Sequence, residues 1–265
     1  MKIRINADDF GISAGVNTAI EEMFQKQKLN SASLIFGCGF FDEAITIAKN
    51  NPDLKIGLHF NLSSGKAAFK HQQPSLLVDE KGQFKNGFLQ LLLLSIFKKE
   101  QLLKEISLEL EAQISAIISL GLKLNHIDSH RHVHFIPRIF QIVVEIAAKH
   151  QISQIRVINE NLLTTWSIKN PKTFLKDGGI IKWLVLRFMG LINGSRKIKQ
   201  SYFFSILYTC KISRELISKI KIPKNFDEVE IMIHPGNPEI DAHLKDLHEA
   251  EHLFSPNRNI ERLGV

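Results

Sequence analysis

Cysteine and long apolar runs are scarce in this chain of 265 residues. The two cysteines, Cys38 and Cys210, are far apart and form no CxxC pair, which favours buried free thiols in a reducing compartment over a disulfide or a zinc knuckle. The longest uncharged apolar stretch, residues 87–97, is too short to span a bilayer, and no apolar signal region precedes the first predicted strand. We therefore expect a cytoplasmic protein without a spanning segment.

Linkers and dense charge tracts are also lacking. Because the composition shifts nowhere sharply, residues 1–265 are predicted to form a single domain. The formal net charge is +7 and the pI about 9.3, yet Lys and Arg are scattered rather than gathered in one long tract, and no nucleic-acid module is recognisable. We expect a solvated basic surface and no nucleic-acid partner, and a homodimer is compatible with the sequence.

Apolar β-rich runs alternate with segments of helical period from one end of the chain to the other. The predicted strands cover residues 3–7, 33–36, 55–61, 124–129, 154–158, 202–205 and 229–234. The predicted helices cover residues 16–28, 41–50, 100–120, 137–150, 213–221 and 240–254. About seven strand–helix units favour parallel strands with crossover helices. This pattern predicts an α/β fold, a single distorted (β/α) TIM-like barrel.

Two segments interrupt the alternation. Residues 63–97 contain the turn-forming residues Gly65, Pro74, Gly82 and Gly87, and we expect an irregular rim or lid there, or a plain surface insertion. Residues 159–200 contain the apolar run 180–192, for which a basic amphipathic helix on a lipid surface is one interpretation. Because Lys182 and Arg187 would be about 140° apart around a helix, they define no clean polar face, and a core or rim helix is favoured.

Polar residues stand where predicted strands end. Asp8 and Asp9 end the first strand, His59 and Asn61 lie at the end of the third, and His234 ends the last. The carboxyl ends of parallel strands are where α/β enzymes keep their chemistry. Carboxylates and imidazoles from separate strands supply ligands for a divalent ion and groups for acid–base work. The pattern predicts a metal-dependent hydrolase.

The densest polar cluster is His-Ile-Asp-Ser-His-Arg-His-Val-His at residues 126–134. In a strand, side chains alternate with period two. One face would then carry four polar residues if the extended conformation persists: Asp128, His130, His132 and His134. Such crowding is costly unless a metal or hydrogen bonds satisfy it, so we interpret this cluster as functional. The other histidines are predicted to lie on the surface: His71, His150, His243, His248 and His252.

Four segments together carry a family resemblance: residues 6–11, 57–59, 126–134 and 234–236. In their order and approximate spacing they resemble the YdjC-like carbohydrate deacetylases, the family of the chitooligosaccharide deacetylases. The resemblance extends from residue 3 to about residue 240. It implies a distorted (β/α) barrel, a divalent metal, and hydrolysis of an N-acetyl group from an amino sugar.

The same resemblance implies roles for individual residues. It makes Asp9, His59 and His130 metal ligands, Asp8 the general base, and His234 the acid near the leaving nitrogen. The expected substrate contacts are Asn61, Arg131, His132 and His134. Relatives often carry Gln, Lys or His where this chain has Arg131, which bears on substrate choice. Magnesium is favoured by the resemblance, while mixed Asp and His ligation also fits Mn, Co or Zn.

Two other readings stay open. A metal-dependent amidohydrolase or phosphoesterase barrel also uses a His-x-His pair, but usually on the first strand, whereas here that pair comes midway. A non-catalytic sugar-binding relative is the other alternative, although every ligand and acid–base residue type is retained. The sequence leaves open whether the sugar is free, nucleotide-linked or lipid-linked, and residues 159–221 carry no motif that assigns a function.

Overall fold

The computed structural model describes residues 2–166, 178–194, 201–220, 223–237 and 240–241. The strands are β1 (Lys2–Phe10), β2 (Ser31–Leu34), β3 (Lys55–Phe60), β4 (Leu124–Ser129), β5 (Gln154–Ile155), β6 (Tyr202–Phe204) and β7 (Glu228–Ile233). The α-helices are α1 (Ala14–Gln25), α2 (Phe41–Asn50), α3 (Phe88–Phe97), α4 (Lys99–Ser119), α5 (Ile139–Lys149), α6 (Leu162–Trp166), α7 (Gly179–Ile192) and α8 (Arg214–Ser218). The predicted α/β fold with about seven strands is confirmed.

The chain divides into two compact units. The first unit comprises Met1–Asp8, Ala14–Ala32 and Arg156–Val265, and the second comprises Asp9–Ser13 and Ser33–Ile155. In the first unit β7 lies between β1 and β6, and in the second β4 lies between β3 and β5, with parallel pairing in each case. Parallel strands bring their carboxyl ends to the same edge of a sheet. The polar residues that end neighbouring strands are therefore neighbours within each unit.

Two charged residues inside the first unit's strands are register partners. Most of β1 and β7 is buried, as expected for parallel strands covered on both faces. Arg4 and Glu230 are both buried, they lie opposite each other, and Arg4 Nη2 is 2.8 Å from Glu230 Oε2. Burial of these two charges is possible because each supplies the other's partner.

The long connection after β3 is fastened to α4 by Glu109. This fully buried carboxylate accepts hydrogen bonds from the backbone N–H of Ala68 at 2.8 Å, the backbone N–H of Phe69 at 2.9 Å and the amide of Gln113 at 2.7 Å. His71 Nε2 lies 3.1 Å from the same carboxylate. The prediction that His71 lies on the surface is therefore wrong: it is buried because it helps to satisfy a buried charge.

A second carboxylate, Glu105, lies one turn earlier on the same face of α4. It accepts hydrogen bonds from the hydroxyl of Ser75 at 2.7 Å and from the backbone N–H of Leu76 at 3.0 Å. Residues 63–97 are thus tied to α4 at two points, and they end in the helix α3, where no helix was predicted. The irregular composition predicted a loop correctly only up to residue 87.

Four further predictions from the sequence concern the fifth strand, the cysteines, membrane-spanning helices and the last helix. The predicted strand at 154–158 is only two residues long. Both cysteines are free, but Cys38 and Cys210 are half-buried rather than buried. Among the described helices, none is long and apolar enough to cross a membrane. The predicted helix at 240–254 lies almost wholly outside the described residues, as do three histidines expected on the surface: His243, His248 and His252.

Replacing Glu109 by Ala should lower the free energy of unfolding by about 2–4 kcal/mol, because the N–H groups of Ala68 and Phe69 lose a buried acceptor. Urea denaturation followed by circular dichroism measures this loss. The matched control is Glu111→Ala on the same helix, whose carboxylate pairs with exposed Lys149 and should cost less than about 1 kcal/mol. Equal losses in the two variants would contradict the anchoring role of Glu109.

Candidate functional site

Asp9 lies at the carboxyl end of β1 in an unusual backbone conformation. Its φ of 64° is in the left-handed region, which residues other than glycine rarely adopt. Gly11 follows with a φ of 102°, and a Cβ there would lie 3.3 Å from the backbone oxygen of Ile35. This sharp change of direction ends the strand, and backbone strain of this kind is concentrated at functional sites.

His59 is oriented by a chain of buried polar groups in β2, β3 and β4. The register places it opposite Asp128, and its Nδ1 lies 2.6 Å from Asp128 Oδ1. Ser33 donates its hydroxyl hydrogen to Asp128 Oδ2 at 2.6 Å, and its oxygen lies 3.0 Å from His126 Nε2. The other nitrogen of His59, Nε2, is 3.2 Å from Asp9 Oδ1. A carboxylate on one ring nitrogen that orients the other is typical of metal-binding histidines.

Gly57 makes room for this arrangement. A Cβ at that position would overlap the ring of His126, so a side chain there would displace the imidazole that contacts Ser33. In the motif Gly57-Leu58-His59, the glycine leaves space for the His126 ring, and the histidine two residues later supplies an imidazole to the site.

The backbone turns immediately after β4. A 3-10 helix covers His130–Phe135, and within it Arg131 and His132 have φ values of 56° and 55°. The extended conformation therefore stops before His130. The prediction of a shared strand face is wrong for these residues: Asp128, His130, His132 and His134. The turn separates them, so Asp128 supports His59 from within the strand while His130 reaches Asp9 from the turn.

Asp9, His59 and His130 form a compact cluster in the second unit. His130 Nδ1 lies 2.7 Å from Asp9 Oδ1, and one ligand atom from each of the three residues lies within 4.8 Å of the others. Burial raises the pKa of Asp9, but the charges and hydrogen bonds of His130 and His59 outweigh it and hold that pKa well below its usual value. An ionised carboxylate with two imidazoles is a donor set that suits a divalent ion. The residues present therefore fit a metal site.

Asp8 has an entirely different partner, Arg156, in the first unit. The guanidinium donates from Nη1 to Asp8 Oδ2 and from Nη2 to Asp8 Oδ1, each at 2.7 Å, and Asn6 donates to Oδ1 at 2.8 Å. Arg156 Nε also donates to Glu230 Oε1 at 2.6 Å. A planar, bidentate pair of this kind fixes the orientation of a carboxylate and neutralises its charge.

Sequence reasoning missed Arg156. The available signal was a charged residue directly after the apolar end of β5, inside a run predicted to be a strand. A buried arginine needs carboxylate partners. Its partners, Asp8 and Glu230, are far away in sequence, so the pattern alone did not indicate which residues it joins.

Asn61, an expected substrate contact, is engaged within the protein. Its side-chain amide donates to the carbonyl oxygens of Phe36 and Ser64, and its Oδ1 accepts from the backbone N–H groups of Ser63 and Ser64. Its backbone N–H and carbonyl both bond to the amide of Gln113. Asn61 thus holds the turn that follows β3, and any contact with substrate stays a prediction.

The remaining expected site residues differ in exposure. His134 is fully buried, with its Nδ1 in hydrogen-bond contact with the hydroxyl of Ser129, and His132 is also buried. Arg131 is exposed, and His234, directly after β7, is half-buried. Arg131 and His234 are therefore the members of this group with the most access to a ligand in solution.

The environment of Cys38 disfavours ionisation of its thiol. Burial raises the pKa of its thiol to about 11, and the negative charge of Asp9 acts in the same direction. The reactive form of cysteine is the thiolate. Cys38, although it lies in the same unit as the cluster, is thus held as a thiol.

An α/β fold with a carboxylate–imidazole cluster at its strand ends defines a protein with a candidate divalent-metal site. The chain belongs to the family described as YdjC-like protein, whose profile matches residues 2–261. The family predicted from the four sequence segments is confirmed.

Several relatives have been named for their activity. A carbohydrate deacetylase of Vibrio parahaemolyticus is 30% identical over 241 residues, covering 89% of this chain and 78% of that protein. One from Thermoanaerobacter pseudethanolicus is 33% identical over 190 residues, covering 70% and 74%. One from Brevibacillus brevis is 38% identical over 152 residues, covering 57% of this chain and 58% of that protein. The prediction of a hydrolase agrees with these names.

A solved structure shares the fold. A protein of Enterococcus faecalis V583, provisionally described as a cellobiose-phosphate cleavage protein, matches with a TM-score of 0.72 and 25% sequence identity. The match covers 100% of this chain and 95% of that one.

Replacing Arg156 by Met should lower the free energy of unfolding by about 3–5 kcal/mol, because Asp8 and Glu230 would be left as buried carboxylates without their shared cation. Urea denaturation measures the loss. The control is Lys149→Met, which removes a salt bridge at the surface and should cost less than about 1 kcal/mol. A loss for Arg156→Met no larger than the control would show that the pairing contributes nothing to stability.

Proposed function

We propose that this protein is a metal-dependent hydrolase that removes an N-acetyl group from an amino sugar or oligosaccharide and releases acetate. The observation that carries the proposal is the cluster of Asp9, His59 and His130, three potential ligands from separate strand ends. The names of the relatives support the reaction and the class of substrate. Asp128 supports the ligand role of His59, because its hydrogen bond orients the imidazole.

In this proposal Asp9, His59 and His130 hold one divalent ion. When bound, the ion polarises the acetamide carbonyl and makes it more electrophilic. Magnesium is the ion that the family resemblance favours, and an Asp–His–His set also suits zinc, manganese or cobalt.

Asp8 is proposed as the general base that takes a proton from the attacking water. Arg156 supports this role by fixing the carboxylate plane. Each carboxylate oxygen can accept two hydrogen bonds, so the bidentate pair does not exhaust Oδ2. The water oxygen then bonds to the acetyl carbon.

His234 is proposed as the acid that protonates the departing nitrogen. As the bond between the acetyl carbon and nitrogen breaks, an amine leaves poorly unless it gains a proton. The products are acetate and a free amino sugar, and the proton taken by Asp8 balances the one given by His234.

The choice of substrate is proposed to depend on Arg131 and His132, the two residues with left-handed backbone conformations in the turn after β4. Arg131 is exposed and offers a guanidinium fork to hydroxyl or carboxylate groups. Asn61, which holds the turn after β3, and His134, which contacts Ser129 beside the turn after β4, are proposed as further substrate contacts. A cytoplasmic location, a homodimer and the absence of a nucleic-acid partner remain part of the proposal.

Metal content and acetate release test the assignment together. The purified protein should bind about one equivalent of divalent metal, and chelation should abolish acetate release from N-acetylated chito-oligosaccharides until metal is restored. Asp9→Asn, His59→Ala and His130→Ala should each lose metal and at least about a hundredfold in rate, since even residues that only support ligands cost about 10–100-fold. The control is His150→Ala, which pairs with Glu111 in α4.

Two outcomes would contradict this proposal. Full metal content in folded His59→Ala and His130→Ala proteins would reject the ligand set. Release of phosphate from a disaccharide phosphate, without acetate from any N-acetylated sugar, would favour the phosphoesterase alternative.

His234→Gln should retain metal and lose about 10²–10⁴-fold in kcat on the acetamide, with little change in KM, because the proton is needed in the transition state. An activated acetate ester has a leaving group that needs little protonation, so the same variant should hydrolyse it with a much smaller defect. Rates on both substrates, with metal content measured on the same samples, make the comparison. Equal defects on ester and acetamide would reject the acid role.

A further inference from the structure

Helix α7 (Gly179–Ile192) presents a face of apolar side chains to solvent. Its exposed members recur at helical spacing: Ile181, Leu184, Val185, Phe188, Leu191 and Ile192. Ile181 and Phe188 are 69% and 65% exposed. These six residues form an exposed apolar patch, and proteins rarely expose such a patch unless it binds something.

The opposite side of α7 packs against the protein, with Leu186, Met189 and Gly190 buried. Trp183 Nε1 donates to the backbone oxygen of Glu160 at 2.8 Å, which fixes the helix to its own unit. This resolves why no polar face could be found from the sequence. The helix has two apolar sides, one covered by the protein and one exposed.

The net charge of the chain is concentrated in the sequence segment that contains this helix. Of 34 Lys and Arg and 27 Asp and Glu, eight basic residues and one acidic residue lie between positions 169 and 199, which leaves 26 of each sign elsewhere. The basic residues are Lys169, Lys172, Lys176, Lys182, Arg187, Arg196, Lys197 and Lys199. Although 26 of the 34 basic residues are scattered over the rest of the chain, the whole excess of +7 resides in these 31 positions.

We propose that α7 docks the protein on the surface of an anionic phospholipid bilayer, with its exposed apolar face in the interface and the flanking cations on the lipid headgroups. A helix of 14 residues is about 21 Å long, too short to span a hydrocarbon core of about 30 Å. It therefore lies in the interface plane, as amphipathic helices with Leu and Phe on one side and basic residues nearby do.

Other binding partners would match only one of the two properties of this surface, its apolar side chains or its positive charge. Nucleic acid would neutralise the cations but leave six apolar side chains in water. A second copy paired through the same face would cover those side chains, but an isologous contact would bring the two cationic segments together. An anionic bilayer supplies an apolar interior and negative charge at once.

Sedimentation with vesicles tests the proposal on the full chain. The protein should bind phosphatidylcholine vesicles that contain phosphatidylglycerol, bind pure phosphatidylcholine vesicles at least about tenfold more weakly, and lose most binding in about 1 M salt, where the Debye length falls to about 3 Å. Leu184→Glu and Phe188→Glu should each weaken binding at least about tenfold, because a charge enters the apolar interface. A triple Ser substitution of Arg196, Lys197 and Lys199, which follow α7 in the sequence, should have a similar effect because it removes three positive charges.

The matched control is Leu93→Glu on α3, an apolar residue of comparable exposure: 47% against 54% for Leu184. It should bind vesicles as the parent chain does. Circular dichroism and acetate release from a water-soluble substrate verify that the variants are folded. Because the Glu variants bear on the surface helix alone, a failure here leaves the proposed hydrolase activity untouched.

Three outcomes would overturn the inference. The parent chain could fail to bind anionic vesicles. Leu93→Glu could weaken binding as much as Leu184→Glu, which would show that vesicle binding does not depend specifically on α7. Analytical ultracentrifugation could show a dimer that Leu184→Glu dissociates, with no vesicle binding, and the face would then belong to a second copy.

Discussion

A carboxylate can be buried only with a partner, and this constraint determines how the candidate site is built. Asp128 is fully buried and is satisfied by Ser33 and His59, so the ring of His59 is held with its Nε2 toward Asp9. Asp8 is buried with Arg156, which also serves Glu230. The two carboxylates adjacent in sequence therefore meet different demands: Asp9 takes histidines and Asp8 takes an arginine.

Backbone strain accompanies this division. Asp9, Arg131 and His132 all have left-handed φ values, each of which costs about 1–3 kcal/mol when the residue is not glycine. Such conformations persist where surrounding contacts determine them, and the 2.7 Å contact between His130 and Asp9 joins the two strained turns. In the turn after β4 the strained backbone separates alternate side chains such as His130 and His132, which a regular strand would have placed on one face.

The sequence indicated which polar residues lie at the ends of strands, because each of them follows an apolar run. It could not predict the turn at His130, because period-two alternation has no information about where an extended segment ends. Arg156 and Glu109 were missed for another reason: each is a long-range partner of buried groups that are distant in sequence. His71 was placed on the surface because its loop composition is polar, whereas its burial depends on Glu109 in a later helix.

Average charge and hydrophobicity of the whole chain do not show where the charged and the exposed apolar residues lie. A net charge of +7 in 265 residues suggests a mildly basic surface, yet the whole excess lies in the sequence between positions 169 and 199, the segment that contains α7. The apolar run in that helix likewise reads as core until the exposed positions are separated from the buried ones. Charge and hydrophobicity coincide in one segment, and each supplies what the other lacks: cations attract the protein to an anionic surface, and apolar side chains retain it there.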